Sequence, residues 1–157
     1  MKINIGGETK KEGWVNLNVQ NKPNVDIIGN INDLSQFEDE SIEEIYASHI
    51  IEHVDQKTIN NTFDGIFRIL KKGGKFYVSV PDMDVLCHFF VSPLATKKVK
   101  FHIMTMIFGG QIDNFDYHYF GWNYEFMNDY LTFAGFSKVD KVDSLGLFDD
   151  TSESKPY

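Results

Sequence analysis

Cysteine is almost absent: Cys87 is the single one among 157 residues, so no internal disulfide can form and a reducing, cytoplasmic setting is expected. Basic residues are under-represented. Against 23 Asp and Glu stand 15 Lys and Arg, a net charge of −8 that repels phosphate backbones, and the only dense basic stretch is Lys97-Lys98-Val99-Lys100. Nucleic acid is therefore not expected as a partner. Long apolar runs are missing as well. The longest candidate, around Ile103 to Phe108, falls far short of the roughly 18 residues of a membrane span. Met1-Lys2-Ile3-Asn4-Ile5 passes at once into glycines and lysines, without the apolar middle of a secretory signal. Internal repeats and low-complexity linkers are absent too.

What is present suffices for a packed fold. Hydrophobic residues make up 42 % of the chain and aromatics 15 %, with 14 Phe, which excludes a disordered chain. At this length folding buries about 70 % of the unfolded surface, so a core forms without metal or disulfide staples. A single domain over 1–148 is expected, followed by a polar, flexible tail over 149–157. Cys87 reads as a small buried residue.

Short apolar strands alternate with helical patterns, the mark of a parallel α/β sheet. Strands are expected at Lys2–Ile5, Trp14–Val19, Val25–Ile31, Ile42–Ala47 and Phe76–Val80, the last stopping at Pro81, with a late strand at Phe136–Val142. Between the fourth and fifth, Ile59, Phe63, Ile66, Phe67 and Leu70 paint one apolar stripe at helical spacing. Asp55 is its expected N-cap, Lys71 and Lys72 suit its C-terminal dipole end, and Gly73 is its expected left-handed stop. A further helix is expected over Asn123–Ala134, with Phe126, Met127, Tyr130, Leu131 and Ala134 inward. Helical pieces at Met83–Val91 and Ala95–Phe108 lead into a Gly- and Asp-rich loop; together 83–122 reads as a helical, aromatic lid. The expected fold is a doubly wound, mostly parallel sheet.

In such a sheet ligands bind beyond the carboxyl ends of the strands, near the point where strand order reverses. Those ends carry Gly6-Gly7, Asn18, Asn30 to Asp33, Ser48-His49 and Asp82. Ile3-Asn4-Ile5-Gly6-Gly7, Gly13-Trp14-Val15-Asn16-Leu17-Asn18, Ser48-His49-Ile50-Ile51-Glu52-His53 and Arg68-Ile69-Leu70-Lys71-Lys72-Gly73-Gly74-Lys75 together resemble the class I S-adenosylmethionine-dependent methyltransferases. The likeness is to the small bacterial type-11 kind, trimmed at the N-terminus.

The resemblance implies a Rossmann-like fold and S-adenosylmethionine as cofactor. It places Gly6 and Gly7 at the methionine part, Asn18 at the ribose hydroxyls, and Ile31, Asn32 and Asp33 near the adenine. Ser48 and His49 fall beside the sulfonium. A cationic sulfonium favours carboxylates, carbonyls and hydroxyls, and these strand ends hold no Lys or Arg. Two departures stand out: Gly6-Gly7-Glu8 replaces the usual Gly-x-Gly, and Asn18 replaces an acid.

Beyond the strand ends, Gln111, Asp113, Asp116, His118 and Tyr119 lie among Phe115, Tyr117, Phe120 and Trp122. Aromatics interleaved with polar groups stack on and orient a sugar or flat substrate. Asp82, Gln111, Asp113 and Tyr117 are therefore the expected substrate contacts, and His118 the expected general base. The alternative is an aromatic cluster that covers the sheet.

His49-x-x-Glu52-His53 matches the inverted zinc-protease pattern, but His49 follows a strand directly and the better helix begins later. No metal is expected, and Glu52 and His53 read as residues that cap and pack the loop. The expected function is methyl transfer to a small-molecule or glycan-precursor acceptor. A catalytically inactive binding or interaction module on the same fold is the alternative, and a nicotinamide domain is disfavoured by the incomplete glycine turn. Exposed aromatics after Val99 point to a homodimer.

Overall fold

The computed structural model describes residues 1–149. All but the first residue of the expected 149–157 tail thus lies outside the described residues. Five strands form one sheet: β1 (Lys2–Ile5), β2 (Trp14–Asn18), β3 (Ile27–Ile28), β4 (Ile42–Ser48) and β5 (Leu70–Ser79). Their order is β3-β2-β1-β4-β5 and every pair is parallel, so the order reverses between β1 and β4. This is an α/β, Rossmann-like sheet.

Strand alternation sorts the two faces. Ile3 and Ile5 of β1, Leu17 of β2, and Ile45 and Ala47 of β4 join one core with Ile59, Phe63, Ile66 and Ile69 of α1 (Ile59–Ile69) and Met127 and Leu131 of α4 (Tyr124–Phe133). On the other face Trp14, Tyr46 and Phe148 form a small cluster, joined by Leu145 and Leu147. The links from β1 to β2 and from β2 to β3 carry no helix, so that face is covered by the chain's end instead.

α1 begins where its stripe predicts. Its N-cap is Thr58, without a side-chain cap bond, and not the expected Asp55, whose Oδ1 accepts from Lys57 N at 2.8 Å and Thr58 N at 3.0 Å in the turn that leads into the helix. The far end differs from expectation. The helix stops at Ile69 and Leu70 is already extended, at φ −71° and ψ 134°, because it pairs with Ile42 as the first residue of β5. Lys71, Lys72 and Gly73 therefore belong to a bulge in β5. Between Ile42↔Leu70 and Glu44↔Lys75 the fifth strand advances five residues and the fourth only two. Gly73, at φ 78°, and Gly74, packed against the carbonyls of Lys71 and Glu43, absorb the excess.

α2 (Met83–Val91) and α3 (Lys97–Phe108) pack as a hairpin, capped by Asp82 and Thr96. Four further expectations fail. Only Ile27 and Ile28 of Val25–Ile31 are strand, since the Asp26 side chain is turned to Asn16 N and Lys10, and Ile31 enters the core. Phe136–Val142 forms no strand: Phe136 N bonds Leu131 O, its ring packs on Phe67 and Phe76, and Val139 O accepts from Tyr124 Oη, which ties the segment to α4. Phe126 is 48 % exposed rather than inward. Cys87 is exposed, on the α2 side of an apolar groove between α2 and α3.

Candidate functional site

Gly6, Gly7, Glu8, Thr9 and Ser48 meet at the reversal point, with Asn4, Tyr46 and Phe148 behind them, and enclose a cleft of about 190 Å³. Both glycines are required by their surroundings. Gly6 has φ 77° and a methyl group there would lie 2.0 Å from Ile50 Cδ1; one on Gly7 would lie 2.0 Å from Asn4 Nδ2. Small-molecule sites span about 300–1,000 Å³, so the cleft receives only part of a nucleoside-sized cofactor. The rest would extend over the open ends of β2 and β3. Its rim suits a cation: the Glu8 carboxylate, paired with Lys22 at 2.7 Å, and the Ser48 hydroxyl, 2.8 Å from Ser79 Oγ.

Asn18, 8 % exposed, borders this cleft through Gly6. Its Nδ2 donates to Gly6 O at 3.1 Å and its Oδ1 accepts from Gln20 N at 2.9 Å. The carboxamide thus ties the β1 and β2 ends together, and one Oδ1 lone pair is left for a ligand.

The other sequence-derived cofactor residues lie beyond the cleft. Ile31 is packed in the core. Asn32 Oδ1 accepts from Thr62 Oγ1 of α1 at 2.9 Å. Asp33 caps a turn at Ser35 N, 3.1 Å away, and the hydrogen bonds from Ser35 hold its carboxyl below the usual range. His49 sits at the end of β4 with φ 53°, a left-handed conformation costly for a residue with a Cβ, and its Nδ1 faces Glu52 Oε1 at 3.0 Å.

The lid residues gather at one place, with one exception. Phe108 O accepts from His118 N at 3.2 Å, which closes the loop over 109–117. Gly109, at φ 83°, lets it pass within reach of Asp116 O. Gln111 is also left-handed, at φ 56°. Asp113 Oδ2 accepts from Gln20 Nε2 at 3.3 Å, just past β2, while Tyr119 N donates to Glu52 O at 2.8 Å, just past β4. Tyr117 O accepts from His53 Nδ1 at 3.0 Å. The loop therefore bridges the carboxyl ends of β2 and β4. Asp82 stands apart: it caps α2, meets Lys141 Nζ at 3.1 Å and bridges to Trp122.

His118 Nδ1 donates to Met106 O at 2.9 Å, which leaves Nε2 with its lone pair. Burial pushes its pKa down, opposed in part by the Glu52 carboxylate and helped by His53, so the ring is neutral at pH 7. Glu52 and His53, read from sequence as packing residues, flank it; Glu52 is 1 % exposed. Glu8 was also missed, and a carboxylate directly after Gly6-Gly7 was its only signal.

No curated protein sequence matches the chain. A model of the family described as "Methyltransferase domain" matches residues 8–78. Among solved structures, the complex between the Haloferax volcanii Trm112 methyltransferase activator and its methyltransferase partner is similar, with a TM-score of 0.55 and 18 % identity over 85 % of this chain and 59 % of that one. An Archaeoglobus fulgidus SAM-dependent methyltransferase is similar with a TM-score of 0.53 and 17 % identity, over 98 % of this chain and 72 % of that one. The chain thus spans less than two thirds of the first of these structures. Among the described residues, no helix is long and apolar enough to cross a membrane. The matched family model runs from ahead of β2 into β5, and the sheet order is that of a doubly wound nucleotide-binding fold, the fold the chain shares with these solved methyltransferases.

Proposed function

We propose that the chain transfers the methyl group of S-adenosylmethionine to a small-molecule or glycan-precursor acceptor. The observation that carries this reading is the loop bridge: an aromatic, carboxylate-bearing segment tied at Gln20 and at Glu52 across the strand ends where such a cofactor binds. In this reading Gly6 and Gly7 admit the methionine end, Ser48 and His49 lie by the sulfonium, and the free Oδ1 lone pair of Asn18 takes one ribose hydroxyl. Asn32 and Asp33 line the approach to the adenine through their backbone and the exposed parts of their side chains, with Ile31 buried in the core beneath them.

The cofactor supplies an electrophilic methyl on a sulfonium. The protein's part is to hold an acceptor in line and exclude water, and positioning is the larger share of such catalysis. Gln111, Asp113 and Tyr117 hydrogen-bond or stack on the acceptor from the loop, with Asp82 at its far end, and the neutral His118 takes the proton of a hydroxyl acceptor at Nε2.

The reading is tested by incubating the protein with S-adenosylmethionine carrying a labelled methyl group and a cell extract. Label is expected in the small-molecule or lipid-linked sugar fraction. Label confined to protein or RNA would overturn the acceptor class.

A second reading, an interaction module without catalysis, is favoured by the engaged carboxamide of Asn18 and the small cleft. The solved Haloferax volcanii relative sits with an activator protein. Here the exposed apolar residues Phe89, Leu94 and Phe101 of the α2–α3 hairpin would meet a partner. Failure to bind the cofactor would select it.

A further inference from the structure

We propose that Glu52, His53 and His118 form a binding site for a divalent transition-metal ion of the zinc type, beside the cofactor cleft and separate from it. Three features of these residues carry it.

The first is a carboxylate oxygen with nothing to bind. Glu52 is 1 % exposed. Its Oε1 faces His49 Nδ1 at 3.0 Å, whereas Oε2 is buried without a hydrogen-bond partner. A buried carboxylate oxygen left so is costly, and a cation is the group that relieves it.

The second is the orientation of two imidazoles. His53 and His118 meet edge to face, ring centroids 4.7 Å apart. Each spends its Nδ1–H on a backbone carbonyl, His53 on Tyr117 O at 3.0 Å and His118 on Met106 O at 2.9 Å. That fixes the tautomer and leaves each Nε2 as a lone-pair donor, the outer-shell arrangement of metal-binding histidines.

The third is proximity. One donor atom from each of the three residues lies within 4.8 Å of the others. Ligands about 2.0–2.1 Å from one ion sit closer together than that, so small side-chain rotations close the site. Two imidazoles and one carboxylate suit zinc, cobalt or iron, whereas magnesium and calcium demand oxygen ligands. Three protein ligands leave further positions open to water or a substrate oxygen.

The arrangement differs from the His-x-x-Glu-His pattern in the sequence. His49 is an outer-shell residue that holds Glu52, and the second histidine comes from the lid loop. A bound ion would therefore clamp that loop to the turn after β4, a joint now made by Tyr119 N on Glu52 O. A ligated His118 Nε2 takes no proton, so in the metal-loaded protein His118 anchors the loop and does not act as base.

The test uses the full chain without an affinity tag, stripped with chelator and titrated with Co²⁺, then Zn²⁺. The expected result is one ion per chain, visible cobalt bands displaced by zinc, and affinity at least about tenfold weaker in His118→Ala. Glu52→Gln should weaken it likewise, and His102→Ala, on the outer face of α3, should not. Because Glu52→Gln removes a buried group and risks misfolding, the half-buried His118→Ala, checked by circular dichroism, decides the outcome. Absence of cobalt binding by the folded parent, or equal affinity in folded His118→Ala, overturns the site. S-adenosylmethionine affinity, measured on the same stripped protein, reports the methyltransferase reading separately.

Discussion

Two residues at the strand ends, Asn18 and Gly7, carry the proposed cofactor contact most directly. Asn18 uses its amide to hold Gly6 O, a bond that a carboxylate cannot make. Asn18→Asp would place an anionic oxygen where Nδ2 now lies 3.1 Å from a carbonyl oxygen. We predict that it destabilises the fold by about 1–3 kcal/mol in urea titration and does not tighten cofactor binding. Gly7→Ala would drive a methyl group into Asn4, which must swing out of a buried position; the expected loss is about 1–3 kcal/mol, read the same way, with weaker cofactor binding. The glycine pair and Asn18 were legible in the sequence as a place. Their bonding was not, because which end of a carboxamide faces a carbonyl depends on the neighbouring strand.

At the scale of elements, single polar groups hold loops to the sheet. Arg68, at the end of α1, donates to Leu34 O at 2.9 Å and Phe37 O at 3.1 Å and pairs with Asp39, which fixes the chain between β3 and β4. Arg68→Ala is expected to cost about 1–3 kcal/mol in urea, with Arg68→Lys recovering only part, since one ammonium replaces a two-pronged donor.

Asp26 ties β2 to the start of β3. Its bond from Lys10, then that from Asn16 N, lowers its pKa below 3.8. A carboxyl that binds its proton more weakly folded than unfolded contributes fully above its unfolded value near 3.9, and the contribution is lost as pH falls through the lower folded value. Thermal midpoints of the parent and Asp26→Asn should therefore differ at pH 7 and converge in that acid window. A constant gap across pH would contradict the assignment.

β1, β2, β4 and α2 could be read from the sequence because local alternation, caps and stripes set them. Gly73 and Phe136–Val142 could not. A left-handed glycine serves a helix end or a strand bulge equally well, and Phe136 was captured by Phe67 and Phe76, which are distant in the chain.

For the whole molecule, the sheet is covered unequally. α1 and α4 bury one face, while the other rests on Trp14, Tyr46 and Phe148, the rings of Trp14 and Phe148 being 5.2 Å apart and edge to face. Phe148→Ala is predicted to lower stability by roughly 2–4 kcal/mol by urea titration, despite its place near the end of the described chain. Its loss would also open the back of the cleft. The fold class was visible in the order of elements. The lid's path was not, since the contacts of Asp113 with Gln20 and of His118 with Glu52 and His53 join residues far apart in the chain. The measurement that bears most directly on this account is calorimetric titration of the folded protein with S-adenosylmethionine and its demethylated product. Micromolar binding of either, weakened in Gly7→Ala, is the predicted result; no heat up to millimolar ligand would contradict it.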